Sequence, residues 1–498
     1  MSDQEKVSSN DISSNPEHEA SEMIDPDAGA TEEERKEIEK KLLWKLDMKL
    51  MPWLCLLYLV CFLDRTNIGN AKIAHLTKDI PMTTSKYNAT LTIFFVGYAV
   101  FEALANFLLK KWRPSIFLPI IMVLWGVCML TMGFVHNWSG LMAARWWLGV
   151  TEAGLFPGVN YYLSCWYRRR EFGVRAAIFF SAAAIAGSFG GLLAAAIQTM
   201  DGTAGIAGWA WIFIIEGGIT VLIGLASFIM VHDFPDEAKF LSDKDRARVL
   251  WRLKQDKQSS AEHEDFKMDY LWAALKDWKT YLGMIVYMGP IMPLYAYSLF
   301  LPSIIQSMSF TSADNVVRNQ LLSVPPYVLA ALLTVVVGFW SDRINKRYIF
   351  NLAVAPVGVL GFVMMIATTN PYVQYVGTFL GAIGIYPAIP LTIAWVANNV
   401  EGVYKRGIVL GFVIGFGNLN GVVSSNIYFN APRFFEGHAV VIAYQALCTF
   451  GGTAAMAYLM HKENVRRRAG ERDHLAEGKT TREVEAMGDG RPDFIYTL

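Results

Sequence analysis

The sequence is short of charged residues, cysteines and metal-binding patterns. Of its 498 residues 53% are hydrophobic and only 18% are charged, below the roughly 25% of soluble domains. Lysine plus arginine and aspartate plus glutamate number 44 each, so the net charge gives no reason to expect a nucleic-acid partner. The five cysteines lie in apolar segments without the spacing of metal ligands, which predicts reduced thiols and neither a disulfide framework nor a metal site. We expect no cofactor.

The first 49 residues are polar and acidic, and we expect no signal peptide among them. Residues 1–30 are rich in Ser, Asp, Glu and Asn and are predicted to be disordered. A helix is predicted to follow, because Thr31 and Glu34 have the spacing of a capping box. Four leucines share one face of this helix, which we expect to lead into the first apolar segment: Leu42, Leu43, Leu46 and Leu50.

Twelve long apolar segments dominate the rest of the chain. A helix that crosses a bilayer needs about 20 mostly apolar residues, and each segment is long enough. The predicted spans 1 to 12 are 51–74, 88–109, 115–135, 140–166, 174–199, 209–231, 281–306, 319–341, 347–369, 372–398, 407–429 and 438–460. A soluble protein would have nothing to cover so much apolar surface. The sequence therefore predicts an all-α polytopic membrane protein with twelve transmembrane helices.

Three charged blocks divide the chain into two halves of six spans each. The predicted divisions are an N-terminal tail 1–49, a six-helix half 50–231, a central loop 232–280 with an amphipathic surface helix, a six-helix half 281–461 and a C-terminal tail 462–498. If the N-terminus is cytoplasmic, 37 of the 44 lysines and arginines lie on the cytoplasmic side and five on the other. The positive-inside rule then predicts cytoplasmic termini, and we expect a plasma-membrane protein.

Ionisable residues inside the spans are few, and all of them lie in the first six spans. Each costs about 2.5–3.5 kcal/mol near the bilayer centre, which makes each a candidate functional group. They are Asp64, Arg65, Glu102, Arg145, Glu152 and Glu216. No histidine lies in a span interior, so carboxylates must carry any protons that drive transport. For Glu102 and Glu216 a structural role in helix packing is the favoured interpretation.

Asp64 and Arg65 are adjacent in the middle of span 1, and Glu152 reaches a similar depth in span 4. Neighbouring residues on a helix point about 100° apart, so the two side chains face different surroundings. Arg65 is predicted to face a cavity and bind a carboxylate through its planar guanidinium. Asp64 is predicted to face neighbouring helices, towards Arg145. The alternative is a static buried ion pair that only fixes helix packing.

Neutral polar side chains complete the predicted cavity. They are Asn67 in span 1, Tyr98 in span 2, Tyr295 and Tyr297 in span 7, and Asn418 in span 11. Span 10 carries Pro387 and Pro390, which predict a broken helix. Gly-rich span 5 is predicted to pack closely against span 8 rather than to form a site.

The loop between spans 8 and 9, "GFWSDRINKR", carries charges at regular spacing. Its Gly338, Asp342, Arg343 and Arg347 resemble the loop motif of the major facilitator superfamily, whereas the corresponding "NFLLKKWRPS" of the first half keeps only basic residues. Such a loop caps helix ends with charge and latches neighbouring helices. The alternative is an ordinary basic loop.

Two stretches carry a sharper resemblance. "CFLDRTNIGNAKI" and "RWWLGVTEAGLFPGVNYYLSCWYRRRE" resemble the anion:cation symporter family, and within it the fungal allantoate permease subfamily. The resemblance implies a major facilitator fold that moves small organic anions with protons; known members take allantoate, nicotinate, pantothenate, biotin or short peptides. By motif match, the resemblance implies that Asp64 and Glu152 take up protons and that Arg145 is the partner of this acidic pair. It implies that Arg65, Tyr98 and Asn418 contact the substrate.

The predicted function is therefore secondary active transport, with an organic anion and protons as the small-molecule partners of a monomer in the lipid bilayer. Export of an anionic metabolite on the same fold is one alternative, and a receptor-like membrane protein that does not transport is another. We do not expect an enzyme, because no serine or cysteine pairs visibly with a buried base.

Overall fold

The computed structural model describes residues 25–255, 268–308, 316–429, 433–480, 483–484 and 487–498, so most of the predicted disordered segment 1–30 and part of the central loop lie outside the described residues. The described chain is helical throughout. The first group of helices is α1 Glu32–Ile73, α2 Leu76–Asp79, α3 Thr84–Lys111, α4 Pro114–Met132, α5 Trp138–Glu152, α6 Leu155–Ser164, α7 Arg169–Ile197 and α8 Gly208–Met230. Helices α9 Asp243–Gln255 and α10 Met268–Lys276 follow in the central loop.

The second group contains the remaining helices. They are α11 Trp278–Gln306, α12 Val316–Ile344, α13 Arg347–Ala367, α14 Pro371–Ile385, α15 Ala388–Asn398, α16 Val403–Ser424 and α17 Phe435–Ala443, which continues through a π-helical stretch, Tyr444–Gly451, into α18 Gly452–Arg468. Ten helical stretches among the described residues are long and apolar enough to cross a membrane. These stretches cover all the predicted spans except the second, which is α3, and the fourth, which is divided between α5 and α6.

The N-terminal helix forms as the sequence predicts. The Thr31 side chain accepts a hydrogen bond from the Glu34 backbone N–H, and Glu34 accepts one from the Thr31 backbone N–H at 2.9 Å. This reciprocal cap satisfies two donors that a helix start leaves without partners. One continuous helix of 42 residues then carries the chain from the charged tail to Ile73.

Span 4 is not one continuous helix, which the sequence interpretation missed. The helix breaks at Ala153–Gly154, directly after Glu152. Pro157 explains the position, because proline has no N–H to donate to the carbonyl four residues earlier and its ring collides with that carbonyl. Gly154 also packs tightly, since a Cβ there would lie 3.0 Å from the Cβ of Ala105.

Span 10 breaks in the same way, and there the sequence prediction is confirmed. Helix α14 ends at Ile385 and α15 begins at Ala388. Pro390 withdraws the hydrogen bond that the Tyr386 carbonyl would otherwise accept. Spans 4 and 10 hold the same place in their two groups of six, and paired interruptions of this kind mark the substrate region of many transporters.

Helices α7 and α12 pack closely along their length, which confirms the prediction for spans 5 and 8. A Cβ at Gly187 would lie 2.7 Å from the ring of Tyr327, and one at Gly338 would lie 2.5 Å from the Cβ of Ala177. These glycines leave room for the Tyr327 ring and for the close approach of the two helices.

The loop motif latches the two groups of helices together. Asp342 forms an ion pair of 2.7 Å with Arg347 and accepts a hydrogen bond of 2.7 Å from the backbone N–H of Val174 at the start of α7. The Arg347 guanidinium also donates to the Ala394 carbonyl of α15. Arg343 differs from the other charged members, because its side chain is exposed.

Both described chain ends, Asp25 and Leu498, lie on one side of the molecule, which we call the terminal side. On this side ion pairs tie the N-terminal part of α1 and the helix α9 to the start of α7: Lys45–Asp245, Glu39–Arg252, Arg252–Glu171 and Asp47–Arg175. The Arg248 guanidinium donates to both oxygens of Asp27 and holds the pKa of that carboxyl below its usual value. The amphipathic helix of the central loop is therefore docked.

The end of the C-terminal tail folds back onto the second group of helices, a feature that the sequence did not predict. The Leu498 carbonyl accepts a hydrogen bond of 2.9 Å from the backbone N–H of Arg347, and the Thr497 carbonyl accepts one of 2.9 Å from the indole of Trp395. Asn464 exchanges two hydrogen bonds with the backbone of Tyr496. We call residues 487–498 the C-terminal strap.

Removing the C-terminal strap is expected to destabilise the fold. Each of its hydrogen bonds contributes about 0.5–1.5 kcal/mol, so deletion of 487–498 should lower the melting temperature of the purified protein by at least about 5 °C. Asn464→Ala should lower it by a smaller amount, because it removes only the two bonds to Tyr496. The exposed Glu477→Ala is the matched control. Equal melting temperatures for all four proteins would contradict the docking.

Candidate functional site

A buried ion pair occupies the middle of the first group of helices. The Arg65 Nη2 lies 2.6 Å from Glu152 Oε1, and Arg65 Nε donates to the same oxygen at 2.9 Å. The Cys61 thiol, one turn before Arg65, donates to it as well at 2.9 Å. Arg65 is 3% exposed and Glu152 is fully buried. Glu152 is the last residue of α5, so its carboxylate lies at the break in span 4, where it contacts span 1.

Aromatic rings surround the guanidinium of Arg65. Its carbon lies 4.9 Å from the ring centroid of Tyr98, 5.4 Å from that of Phe94 and 5.6 Å from that of Tyr295. Cations at such distances from aromatic faces are stabilised by the ring quadrupoles. The site thus combines one cation, one carboxylate and flat apolar walls.

A chain of hydrogen bonds leads from Arg65 across to the second group of helices and back. Arg65 Nη1 donates to the Tyr295 hydroxyl at 3.0 Å, which donates to Asn418 Oδ1 at 2.6 Å. Asn418 Nδ2 in turn donates to Glu102 Oε2 at 3.1 Å. The chain joins α1, α11, α16 and α3. The structure therefore brings the predicted Arg65, Tyr98, Tyr295, Asn418 and Glu152 together.

Glu102 belongs to this chain, a contact that the favoured interpretation of helix packing did not foresee. Its carboxylate contacts Asn418, which is 316 residues away in the chain and belongs to the second group of helices. No local pattern in the sequence could reveal so distant a contact.

Asp64 faces neighbouring helices, as the 100° offset predicts, but its expected contact with Arg145 is wrong. Its Oδ2 accepts hydrogen bonds from the Trp125 indole of α4 at 3.1 Å and from the Thr220 hydroxyl of α8 at 2.8 Å. Glu216, one turn before Thr220, is also buried, and neither of its carboxylate oxygens has a hydrogen-bond partner among the described residues. The rotation of α1 turns Asp64 towards α4 and α8.

Arg145 is fully buried in α5, two turns before Glu152. Its guanidinium carbon lies 4.7 Å from the ring centroid of Phe94, and its three guanidinium nitrogens have no hydrogen-bond partner among the described residues. The carboxylate that acts on it electrostatically is that of Glu152. Arg65 and Arg145 thus both lie over the ring of Phe94, and Glu152 is the carboxylate that interacts with both.

Two predicted substrate-binding residues lie away from this chain. The Tyr297 hydroxyl donates to the Thr378 carbonyl of α14 at 3.0 Å, and its ring meets Tyr327 edge-on. The Asn67 side chain accepts a hydrogen bond of 3.1 Å from Asn70 on the same helix. Tyr297 is two residues after Tyr295, so the helix turns its side chain by about 200° away from Arg65.

Tyr287 is a site residue that sequence reasoning missed. It is fully buried on α11, eight residues before Tyr295, and its hydroxyl has no hydrogen-bond partner among the described residues. Its ring packs against Gly417 of α16, the residue before Asn418, where a Cβ would lie 2.3 Å from it. The spacing of eight residues, about two turns, was the available signal that both tyrosines face one side.

The two groups of helices touch on both sides of the site in this structure. On the side opposite the terminal side, a Cβ at Gly69 of α1 would lie 2.7 Å from the Leu299 carbonyl of α11, so the two helices touch. Asn426 also donates to Thr92 there at 2.9 Å. On the terminal side the contact of Asp342 with Val174 joins the two groups.

Two groups of apolar helices, with a buried charge pair in the first that is hydrogen-bonded to the second, are typical of a multi-pass membrane transporter. The comparison with protein families identifies which kind. The sequence profile of the Major Facilitator Superfamily matches residues 54–425, and the chain belongs to this superfamily.

Similar proteins agree with this assignment. The chain is 34% identical to the MFS-type transporter cnsO of Penicillium expansum, over 92% of this chain and 90% of that protein. It is 32% identical to the high-affinity nicotinic acid transporter of Saccharomyces cerevisiae, over 92% and 85%. Among solved structures, an inward-facing, unoccupied bacterial homologue of the human lysosomal transporter Spinster matches with a TM-score of 0.59 and 14% identity, over 81% of this chain and 92% of that one. This likeness supports the fold alone.

Proposed function

We propose that the protein is a proton-coupled symporter of a small organic anion, whose carboxylate binds Arg65. The observation that carries the proposal is the buried pair of Arg65 and Glu152. Two of the three guanidinium nitrogens of Arg65 donate to one oxygen of Glu152. A cargo carboxylate competes with Glu152 for these donors, because planar bidentate contact suits only one carboxylate at a time.

Protonation of Glu152 ends this competition and thereby couples movement of the anion to movement of a proton. A proton on Glu152 removes its charge and weakens its hold on Arg65, so the anion binds more tightly when the proton is present. Reciprocally, a bound anion favours the proton. Anion plus proton also leaves the buried charge of the site unchanged, which avoids the cost of carrying an unpaired charge through the bilayer.

Asp64 is proposed as a second proton-coupling group. It lies beside Arg65 in the chain but faces Trp125 and Thr220, and its Oδ1 has no hydrogen-bond partner in the described part of the chain. A buried carboxylate with one open oxygen can take up a proton without losing its existing bonds. Arg145 is proposed to tune Glu152, the carboxylate with which it interacts electrostatically.

We further propose the allantoate permease subfamily and a cytoplasmic terminal side. The motifs around Asp64 and Glu152 and the similarity to a nicotinic acid transporter support a small organic anion, about the size of nicotinate, as the cargo. Both described chain ends lie on the terminal side, and so does the basic loop with Arg343 and Arg347. That side carries the excess of lysine and arginine.

The test is uptake of labelled carboxylates by cells that lack their own carboxylate permeases. Nicotinate, allantoate and pantothenate form the first panel. We expect at least one to accumulate at pH 5 and its initial uptake to fall by about tenfold at pH 7.5 or after addition of an uncoupler, because the proton gradient supplies the energy. Cells with the empty vector are the control. Uptake that is unchanged by both treatments would contradict proton coupling.

A further inference from the structure

We propose that Glu102 and Tyr287 form a second pole of the cargo site, which recognises a hydrogen-bond donor at the end of the cargo opposite its carboxylate. This inference rests on the proposed function and narrows its substrate class. The cargo would be an anion that carries an N–H or O–H group as well as a carboxylate. We call Glu102 and Tyr287 the acceptor pole.

Glu102 has one occupied and one open oxygen. Its Oε2 accepts the hydrogen bond from Asn418, whereas its Oε1 is buried and has no hydrogen-bond partner among the described residues. The residue is 2% exposed. Gly415 leaves space beside both oxygens, since a Cβ there would lie 3.6 Å from Oε2 and 3.8 Å from Oε1. A buried polar atom without a partner is unfavourable, and a cargo donor would remove that cost.

Tyr287 adds a second open group at the same end. Its ring packs against Gly417, where a Cβ would lie 2.3 Å from the ring. A larger residue at position 417 would therefore displace the ring. Its hydroxyl is buried and without a partner among the residues that the structure describes. Gly417 directly precedes Asn418, which donates to Glu102, so Tyr287 and Glu102 lie against neighbouring positions of α16. The hydroxyl of Tyr98, one turn before Glu102 on α3, is open in the same sense.

The directions of the hydrogen bonds decide what this pole can bind. Every bond in the chain points away from Arg65, through Tyr295 and Asn418 to Glu102. The side-chain oxygen of Asn418 accepts from Tyr295 and its side-chain nitrogen donates to Glu102, so both groups are occupied. What is left at Glu102 is acceptor capacity. One end of the site therefore offers the donors of Arg65 and the other end offers an acceptor, which together fit a cargo with an anionic and a donor end.

Aromatic side chains separate the two poles. The rings of Phe95 and Tyr295 lie 4.7 Å apart between their centroids, and those of Phe94 and Tyr98 lie 6.0 Å apart. Flat walls of this kind pack well against planar groups. Substituted benzoates are therefore suitable probes, because benzoate lacks the donor that 3- and 4-aminobenzoate and 3- and 4-hydroxybenzoate carry.

The experiment compares initial uptake of these labelled benzoates in cells that express the wild type, Glu102→Gln or Tyr287→Phe, each corrected for the amount of protein in the membrane. In the wild type we expect kcat/KM for at least one donor-bearing benzoate to exceed that for benzoate by at least tenfold. Glu102→Gln should reduce this ratio by at least fivefold, because the amide can still accept from Asn418 but presents its NH2 where Oε1 stood. Tyr287→Phe should reduce the ratio as well.

Tyr428→Phe is the matched control, since Tyr428 is also buried but its hydroxyl pairs with His438. Its ratio should equal that of the wild type. Ratios that stay unchanged in Glu102→Gln, or no preference for donors in the wild type, would overturn the acceptor pole and leave the proposed function standing. Absence of uptake for every benzoate and for every carboxylate of the first panel would overturn both.

Discussion

Replacing Arg65 with alanine is expected to lower kcat/KM for anion uptake by at least about 100-fold. Charge-assisted hydrogen bonds contribute about 1.5–3 kcal/mol each, and a bidentate contact with the cargo would lose two of them. The change also leaves Glu152 buried without its cation, which is costly in its own right. Initial rates of labelled anion uptake over a range of concentrations, corrected for surface expression, measure the effect.

Arg65→Lys separates charge from geometry at this position. Lysine keeps the positive charge but loses the planar fork, so we expect an intermediate loss of about tenfold, mainly in KM. Arg113→Lys is the control, because Arg113 forms an exposed ion pair with Glu237 far from the site. Uptake kinetics of Arg65→Lys that match those of the control would remove Arg65 from the cargo site.

Glu152→Gln is expected to abolish accumulation while exchange of internal for external anion continues. The amide has the shape of the protonated carboxyl, so the site stays permanently in its anion-binding form. Since this amide cannot release a proton, the carrier still exchanges internal for external anion but gains no energy from the proton gradient. In cells we expect the steady-state internal-to-external ratio to fall to about one, while counterflow in preloaded vesicles stays within about threefold of the wild type.

Glu237→Gln is the matched control for this change, since Glu237 is an exposed carboxylate on the terminal side. It should accumulate anion as the wild type does. Accumulation by Glu152→Gln that still responds to an uncoupler would mean that another carboxylate carries the coupled proton. In that case Asp64→Asn becomes the decisive variant.

The helices and the central charge pair could be predicted from the sequence because their signals are local. Apolar length gives the spans, Thr31 and Glu34 give the start of α1, and Pro390 gives the break in span 10. The break in span 4 carried the same kind of signal in Pro157, which was overlooked. That Arg65 and Glu152 would lie at one depth followed from counting residues along two helices.

The partners of the buried charges could not be predicted, because they depend on how each helix is rotated and on which helices become neighbours. Asp64 meets Trp125 and Thr220 rather than Arg145 because α1 packs beside α4 and α8. The contact of Glu102 with Asn418 joins residues from the two halves of the chain, 316 residues apart. The docking of the C-terminal strap likewise joins residues far apart in the chain, such as Trp395 with Thr497 and Asn464 with Tyr496, which no local pattern indicates.

Proton movement that accompanies anion entry is the most direct test of coupling through Arg65 and Glu152. Purified protein is placed in vesicles that contain a pH-sensitive dye and have equal pH on both sides, and the anion identified by the uptake panel is added outside. For the wild type we expect the interior to acidify when anion enters, and for Glu152→Gln we expect anion exchange without acidification. Anion entry into wild-type vesicles with no change of internal pH would contradict proton symport.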